Sequence, residues 1–149
     1  MGENNMKILV FELNGEHYAT DIAEVERILG YSHPTAMPDV PDYVEGVINY
    51  EENILPIINL SKKFNLEASD EKKDRKIIVI KREEEKFGVV VDNVSEVSDI
   101  KDGSFEEAPE ITVSISRRYI KGLIKFEKDI TILLDMKEIL TEEERKEIL

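Results

Sequence analysis

Lys7-Ile8-Leu9-Val10-Phe11 returns 69 residues later as Lys76-Ile77-Ile78-Val79-Ile80, and Tyr43-Val44-Glu45-Gly46-Val47-Ile48 returns as Tyr119-Ile120-Lys121-Gly122-Leu123-Ile124. These two echoes decide the fold. Around the first, Tyr18-Ala19-Thr20-Asp21-Ile22 matches Phe87-Gly88-Val89-Val90-Val91, and Val25 and Ile28 match Val94 and Val97 at the same offset (97 − 28 = 69). Around the second, Glu51-Glu52-Asn53-Ile54 matches Glu127-Lys128-Asp129-Ile130, and Ile57-Ile58-Asn59-Leu60 matches Leu133-Leu134-Asp135-Met136, at 119 − 43 = 76. The added length falls in one loop, roughly Lys101 to Ser116, broken by Gly103 and Pro109.

Each copy reads as about five short strands. Asn14-Gly15 favours the positive φ of a tight hairpin turn, and Glu51-Glu52-Asn53 turns a second hairpin. Val25 to Leu29 has a spacing that fits a strand or a helical turn. Prolines 34, 38 and 41 mark a loop, Leu60 to Leu66 suits a short helix, and Glu67 to Lys76 is a charged linker. Thr141 with Glu144 spells a capping box for a terminal helix over 141–149. The expected fold is mainly β: two small barrels packed together, an arrangement that removes exposed sheet edges. Within one domain over 7–140, the subdomains are expected at about 14–68 and about 76–136, with one or more terminal strands crossing between them. Each half is too small to bury enough surface alone, so neither should fold well when the chain is cut at Asp74.

The composition narrows the function. A net charge of −13 repels phosphate backbones and anionic lipids, so neither nucleic acid nor membrane is an expected partner. The chain has no cysteine, no apolar run long enough to span a bilayer and no apolar stretch like a signal peptide's at its start, so a cytoplasmic protein is the simplest reading. His17 and His33 lack partners at ligand spacing, the serines lack a nucleophile elbow and the glycines form no phosphate loop. No catalytic constellation, metal site or cofactor is expected, and a duplicated β scaffold without one favours a binding module.

Four blocks carry a family resemblance. They are Glu16 to Ile22 with Val25 to Gly30; Pro41-Asp42-Tyr43-Val44-Glu45-Gly46-Val47-Ile48-Asn49 with Ile54 to Leu60; Phe87-Gly88-Val89-Val90-Val91-Asp92-Asn93-Val94; and Tyr119 to Leu123 with Ile132 to Asp135. Together they resemble the CheW chemotaxis coupling proteins over roughly Lys7 to Leu140. The resemblance implies two five-stranded SH3-like β-barrels. It implies an adaptor that joins the regulatory domain of the histidine kinase CheA, barrel to barrel, to the cytoplasmic tip of a chemoreceptor lying in a groove between the barrels. The protein would then sit at membrane-associated receptor arrays through its partners. Two alternatives are a CheA regulatory domain cut from its kinase, opposed by the start at Met1 and the lack of kinase motifs, and a hydrolase on a barrel scaffold.

Candidate contacts follow. Val25, Ile28, Val94 and Val97 occupy matching places in the two copies and are expected to line the receptor groove. Arg27 stands where the family usually has an acid, and Glu51 where it usually has an arginine. An ion pair of reversed polarity between them accounts for both changes and would set the hairpin against the neighbouring strand at that groove. The loss of a glycine at Glu52 puts the turn type in question. For the kinase, the second barrel is expected to present Val89, Val91, Ile100 and Phe105.

Overall fold

A computed structural model describes residues 5–66, 74–101, 106–107, 117–126 and 129–148. The strands are β1 (Asn5–Leu13), β2 (Glu16–Asp21), β3 (Val25–Gly30), β4 (Val44–Tyr50), β5 (Asn53–Asn59), β6 (Lys76–Arg82), β7 (Glu85–Val91), β8 (Asn93–Lys101), β9 (Ile120–Phe126) and β10 (Asp129–Leu134). Helices are short: α1 (Leu60–Lys63), α2 (Glu142–Ile148) and 3-10 turns at Ile22–Glu24, Arg117–Tyr119 and Met136–Glu138.

The strands form two five-stranded sheets, in the orders β8-β1-β2-β10-β9 and β3-β6-β7-β5-β4. Neither sheet belongs to one half of the sequence. The β1–β2 hairpin of the first copy completes the sheet of the second copy, and β6–β7 completes the sheet of the first. The chain crosses between sheets through Ile22–Glu24 on one side and through Asp92 alone on the other. The exchange is symmetric in register. Ile57 pairs with Gly88 in a parallel ladder, and their counterparts Leu133 (57 + 76) and Ala19 (88 − 69) pair likewise. Ile28 pairs with Ile78 as Val97 pairs with Leu9. The contiguous subdomain limits read from the sequence therefore cut across both sheets.

Side chains alternate across a strand, and here the alternation separates three cores. On β1, Ile8 and Val10 point into one cluster with Ala19, Ile124 and Leu133. On β6, Ile77 and Val79 join Tyr50, Leu55, Ile57 and Val90 in a second. In each case all five strands of one sheet supply residues to one cluster, so each sheet is rolled around its own core. The other faces, with Leu9, Phe11, Leu13, Ile78, Ile80, Val89 and Val91, meet between the sheets in the largest cluster.

Local chemistry sets the connections. Asn14 and Gly15 take φ of 51° and 82°, as the hairpin requires. Gly46, at φ 142°, lets Thr35 pair with Val47; a Cβ there would lie 2.0 Å from the Thr35 carbonyl oxygen. The capping box is present: the Glu144 amide donates to Thr141 Oγ1 (3.0 Å) and the Thr141 amide to Glu144 Oε1 (2.8 Å).

Candidate partner-binding edges

β3 and β8 are edge strands, one in each sheet, and they are counterparts in the repeat. Their four candidate groove residues divide into two kinds. Val25 and Val94 are partly buried and pack against the core between the sheets. Ile28 and Val97 are 39% and 54% exposed. Residues opposite each other in an antiparallel pair share a face, and Ile28 and Val97 stand opposite Ile78 and Leu9, both members of the inter-sheet core. The exposed pair thus extends that core to the surface at two equivalent edges.

Beside Ile28, Arg27 Nη2 lies 3.4 Å from Glu51 Oε2, with both side chains about half exposed. The pair is one strut of a larger cluster. Tyr50 donates a 2.7 Å hydrogen bond to Glu26, Lys86 approaches Glu26 at 3.0 Å and Glu51 at 3.9 Å, and Arg27 and Lys86 stand 5.8 and 5.7 Å from the Tyr50 ring centre. Burial, reinforced by Glu26, pushes the Tyr50 phenol up to about 12; its hydrogen bond in turn holds the Glu26 carboxyl below the usual range, helped by Lys86. β3 and β4 are the two outer strands of their sheet, so this cluster ties one edge of the rolled sheet to the other through side chains. The turn is a two-residue hairpin with Glu51 at φ 48° and Glu52 at φ 65°. It keeps the geometry a glycine would favour, at a cost in backbone strain.

The proposed kinase contacts do not converge. Val89 and Val91 are wholly buried in the inter-sheet core and cannot touch a partner in this fold. β7 lies between β6 and β5 and is covered on both faces, so Val90 is buried as well, in another cluster. The strand also belongs to the sheet that holds β3, β4 and β5, apart from Ile100, which is partly buried on β8 against the other sheet's core. Phe105 lies outside the described residues. Among the described residues, the large apolar side chains exposed at hairpins are instead Ile54 (75%) and its counterpart Ile130.

Two clusters were not singled out from the sequence. Glu24 is buried, accepts from the Lys137 amide (3.2 Å) and Thr20 Oγ1 (3.4 Å), and adjoins Asp135, whose Oδ1 is buried without a hydrogen-bond partner among the described residues. Burial and the neighbouring Asp135 raise the Glu24 carboxyl to about 7, against the pull of Lys121 and the Lys137 amide. Lys63 and Glu144 meet at 2.6 Å, Tyr43 donates to the same carboxylate at 2.8 Å, and the Lys63 ammonium lies 4.5 Å from the Tyr43 ring centre. Burial opposes ionisation of Glu144, but Lys63, the Thr141 amide and Tyr43 outweigh it and hold the carboxyl down to about 2. This network anchors α2, and its only legible signal was the capping box. Among the described residues no group of three or more His, Asp or Glu is placed to hold a metal ion, and no helix is long and apolar enough to cross a membrane.

Comparison with known proteins places this geometry. The family model described as "CheW-like domain" matches residues 7–144. The chain is 33% identical over 138 residues to the chemotaxis protein CheW of Klebsiella aerogenes, covering 93% of this chain and 83% of that one. It is 31% identical over 139 residues to the CheW of Thermotoga maritima, covering 91% and 88%. The crystal structure of the scaffolding protein TtCheW from Thermoanaerobacter tengcongensis superposes with a TM-score of 0.87 at 29% identity, covering 96% of this chain and 92% of that one.

Proposed function

Since the chain belongs to the CheW-like family, we propose that it is a non-catalytic cytoplasmic adaptor that holds the tip of a chemoreceptor helical hairpin and the regulatory domain of CheA in one complex at the receptor array. The observation that carries the reading is the pair Ile28 and Val97. They are exposed apolar side chains at equivalent positions of two edge strands, each continuous with the core between the sheets. A receptor helix laying its apolar face along that seam would use helix-in-groove recognition. The half-exposed Arg27–Glu51 pair beside Ile28 fixes the rim of the seam more than it stabilises the fold, because an exposed pair is worth only about 0–1 kcal/mol. For the kinase, Ile54 and Ile130 replace the buried valines as apolar contacts at the sheet ends.

The test is titration of the isotopically labelled full chain with a soluble receptor-tip hairpin and, separately, with the CheA regulatory domain. Receptor-induced shifts are expected along β3 and β8. Ile28→Asp and Val97→Asp should each weaken receptor binding at least tenfold while leaving the spectrum of the free protein folded, since both positions are exposed. Ile54→Asp should weaken kinase binding and leave receptor binding intact. Full receptor affinity in the Ile28→Asp, Val97→Asp double variant would overturn the reading of the seam.

A further inference from the structure

The two rolled sheets are built alike, yet one end differs between them. In the β3-β6-β7-β5-β4 sheet that end is filled. Buried Tyr50 sits there with Arg27 and Lys86 by its ring, and Leu55 and Leu29 pack in the same cluster. The corresponding end of the β8-β1-β2-β10-β9 sheet is hollow. A cavity of about 240 Å³ opens there, lined by Val10, His17, Glu96, Ser98, Phe126, Asp129 and Thr131.

The repeat offsets place these seven residues on the filled end. With 69, Val10, His17, Glu96 and Ser98 fall on Val79, Lys86, Arg27 and Leu29; with 76, Phe126, Asp129 and Thr131 fall on Tyr50, Asn53 and Leu55. The ladders agree, since Val10 faces Glu96 as Val79 faces Arg27. Two kinds of exchange make the hollow. Leucines 29 and 55 become the smaller hydroxyl residues Ser98 and Thr131. The cations Arg27 and Lys86, which the filled end holds against its aromatic ring, become Glu96 and His17, and Asn53 becomes Asp129. Among the described residues no lysine or arginine lines the hollow, and neither Glu96 nor Asp129 is in an ion pair. Thr131 is 2% exposed, lines the cavity and has no hydrogen-bond partner for its hydroxyl among the described residues.

We infer that this cavity is a binding site for an alkylammonium or alkylguanidinium group, which supplies from outside the cation that the opposite sheet carries on its own chain. The carboxylates of Glu96 and Asp129 receive the charged head, Thr131 and Ser98 accept hydrogen bonds from it, and Val10 and the Phe126 ring receive the alkyl stem. A space of this size suits a group of a few heavy atoms. That group belongs either to a free small amine or guanidine or to a lysine or arginine side chain of a partner.

The experiment titrates the labelled full chain with n-butylguanidinium chloride, its neutral analogue n-butylurea, and a blocked Gly-Arg-Gly peptide. Saturable shifts confined to the neighbourhood of His17, Glu96, Phe126 and Thr131 are expected with a cation and not with the urea. Tighter binding of the free cation identifies a small-molecule ligand, and tighter binding of the peptide a partner's side chain; either supports the site. Glu96→Gln should weaken binding several-fold. Ser98→Leu with Thr131→Leu, which copies the filled end, should abolish it in a folded protein. If that double variant does not fold, Glu96→Gln alone decides. No saturable binding, equal binding of the neutral analogue, shifts spread over the whole acidic surface, or unchanged affinity in Glu96→Gln would each overturn the inference.

Discussion

Replacing Glu24 by glutamine should make the protein more stable, and only above mildly acidic pH. In the fold the Glu24 carboxyl titrates at about 7, against an ordinary value of 4.5. The unfolded chain therefore releases this proton first. Between the two values the folded state holds a proton that the unfolded state has lost, so stability falls as pH rises through this window. The full cost, present above about pH 7, is bounded by the gap between those two values, or about 3 kcal/mol. Within that bound, about 2 kcal/mol is the working figure. Glutamine keeps an oxygen for the Lys137 amide and offers Asp135 a permanent N–H donor, without the charge. Urea unfolding of both proteins at several values between about pH 4 and pH 8 measures the difference. It should be near zero at the acid end and reach about 2 kcal/mol in favour of Glu24→Gln at the alkaline end. The global repulsion of a chain of net charge −13 affects both proteins almost equally and largely cancels in the difference. A Glu24→Gln protein that is less stable at pH 8, or a difference that does not change with pH, would rule out a strained Glu24 charge.

Further outcomes follow from the same geometry. Arg27→Glu should impair receptor binding, and adding Glu51→Arg should restore it; a double-mutant defect equal to the sum of the singles in a binding assay would reject a functional pairing. Glu52→Gly should raise the unfolding free energy measured in urea by roughly 0.5–1 kcal/mol, because position 52 holds φ 65°. Lys63→Met should cost about 1–3 kcal/mol at neutral pH by removing the charged partner of Glu144. The Glu144 carboxyl is depressed to about 2, so that stabilisation is present above the ordinary carboxylate range and fades as pH falls toward 2, where the two proteins should converge in acid unfolding. Fragments 1–74 and 75–149 should each be unfolded alone by circular dichroism and recover β structure when mixed, since each sheet draws strands from both.

The strands, the hairpins and the duplication could be read along the chain, because these rest on local chemistry. Asn14-Gly15 selects its turn, Gly46 is the residue that tolerates Thr35 at close approach, and Thr141 with Glu144 caps a helix wherever that helix docks. The Arg27–Glu51 pair was legible only against the family resemblance, as two departures of opposite sign from its usual pattern. A further signal was present in Phe87-Gly88-Val89-Val90-Val91: an apolar run without alternation belongs to a strand covered on both faces, which is why Val89 and Val91 are core. Which copy's hairpin joins which sheet emerges only in three dimensions. Both pairings offer β1 and β6 the same alternating apolar faces, so period-two patterning is blind to the exchange, and the choice is made by the three-residue and one-residue crossings at Ile22–Glu24 and Asp92. The exchange then sets the neighbours. It brings Lys86 of the second copy to Glu26 and Glu51 of the first, and Glu24 of the first to Asp135 of the second. Residues so far apart along the chain have charges whose worth depends on distance and burial, and those exist only once the two sheets have formed.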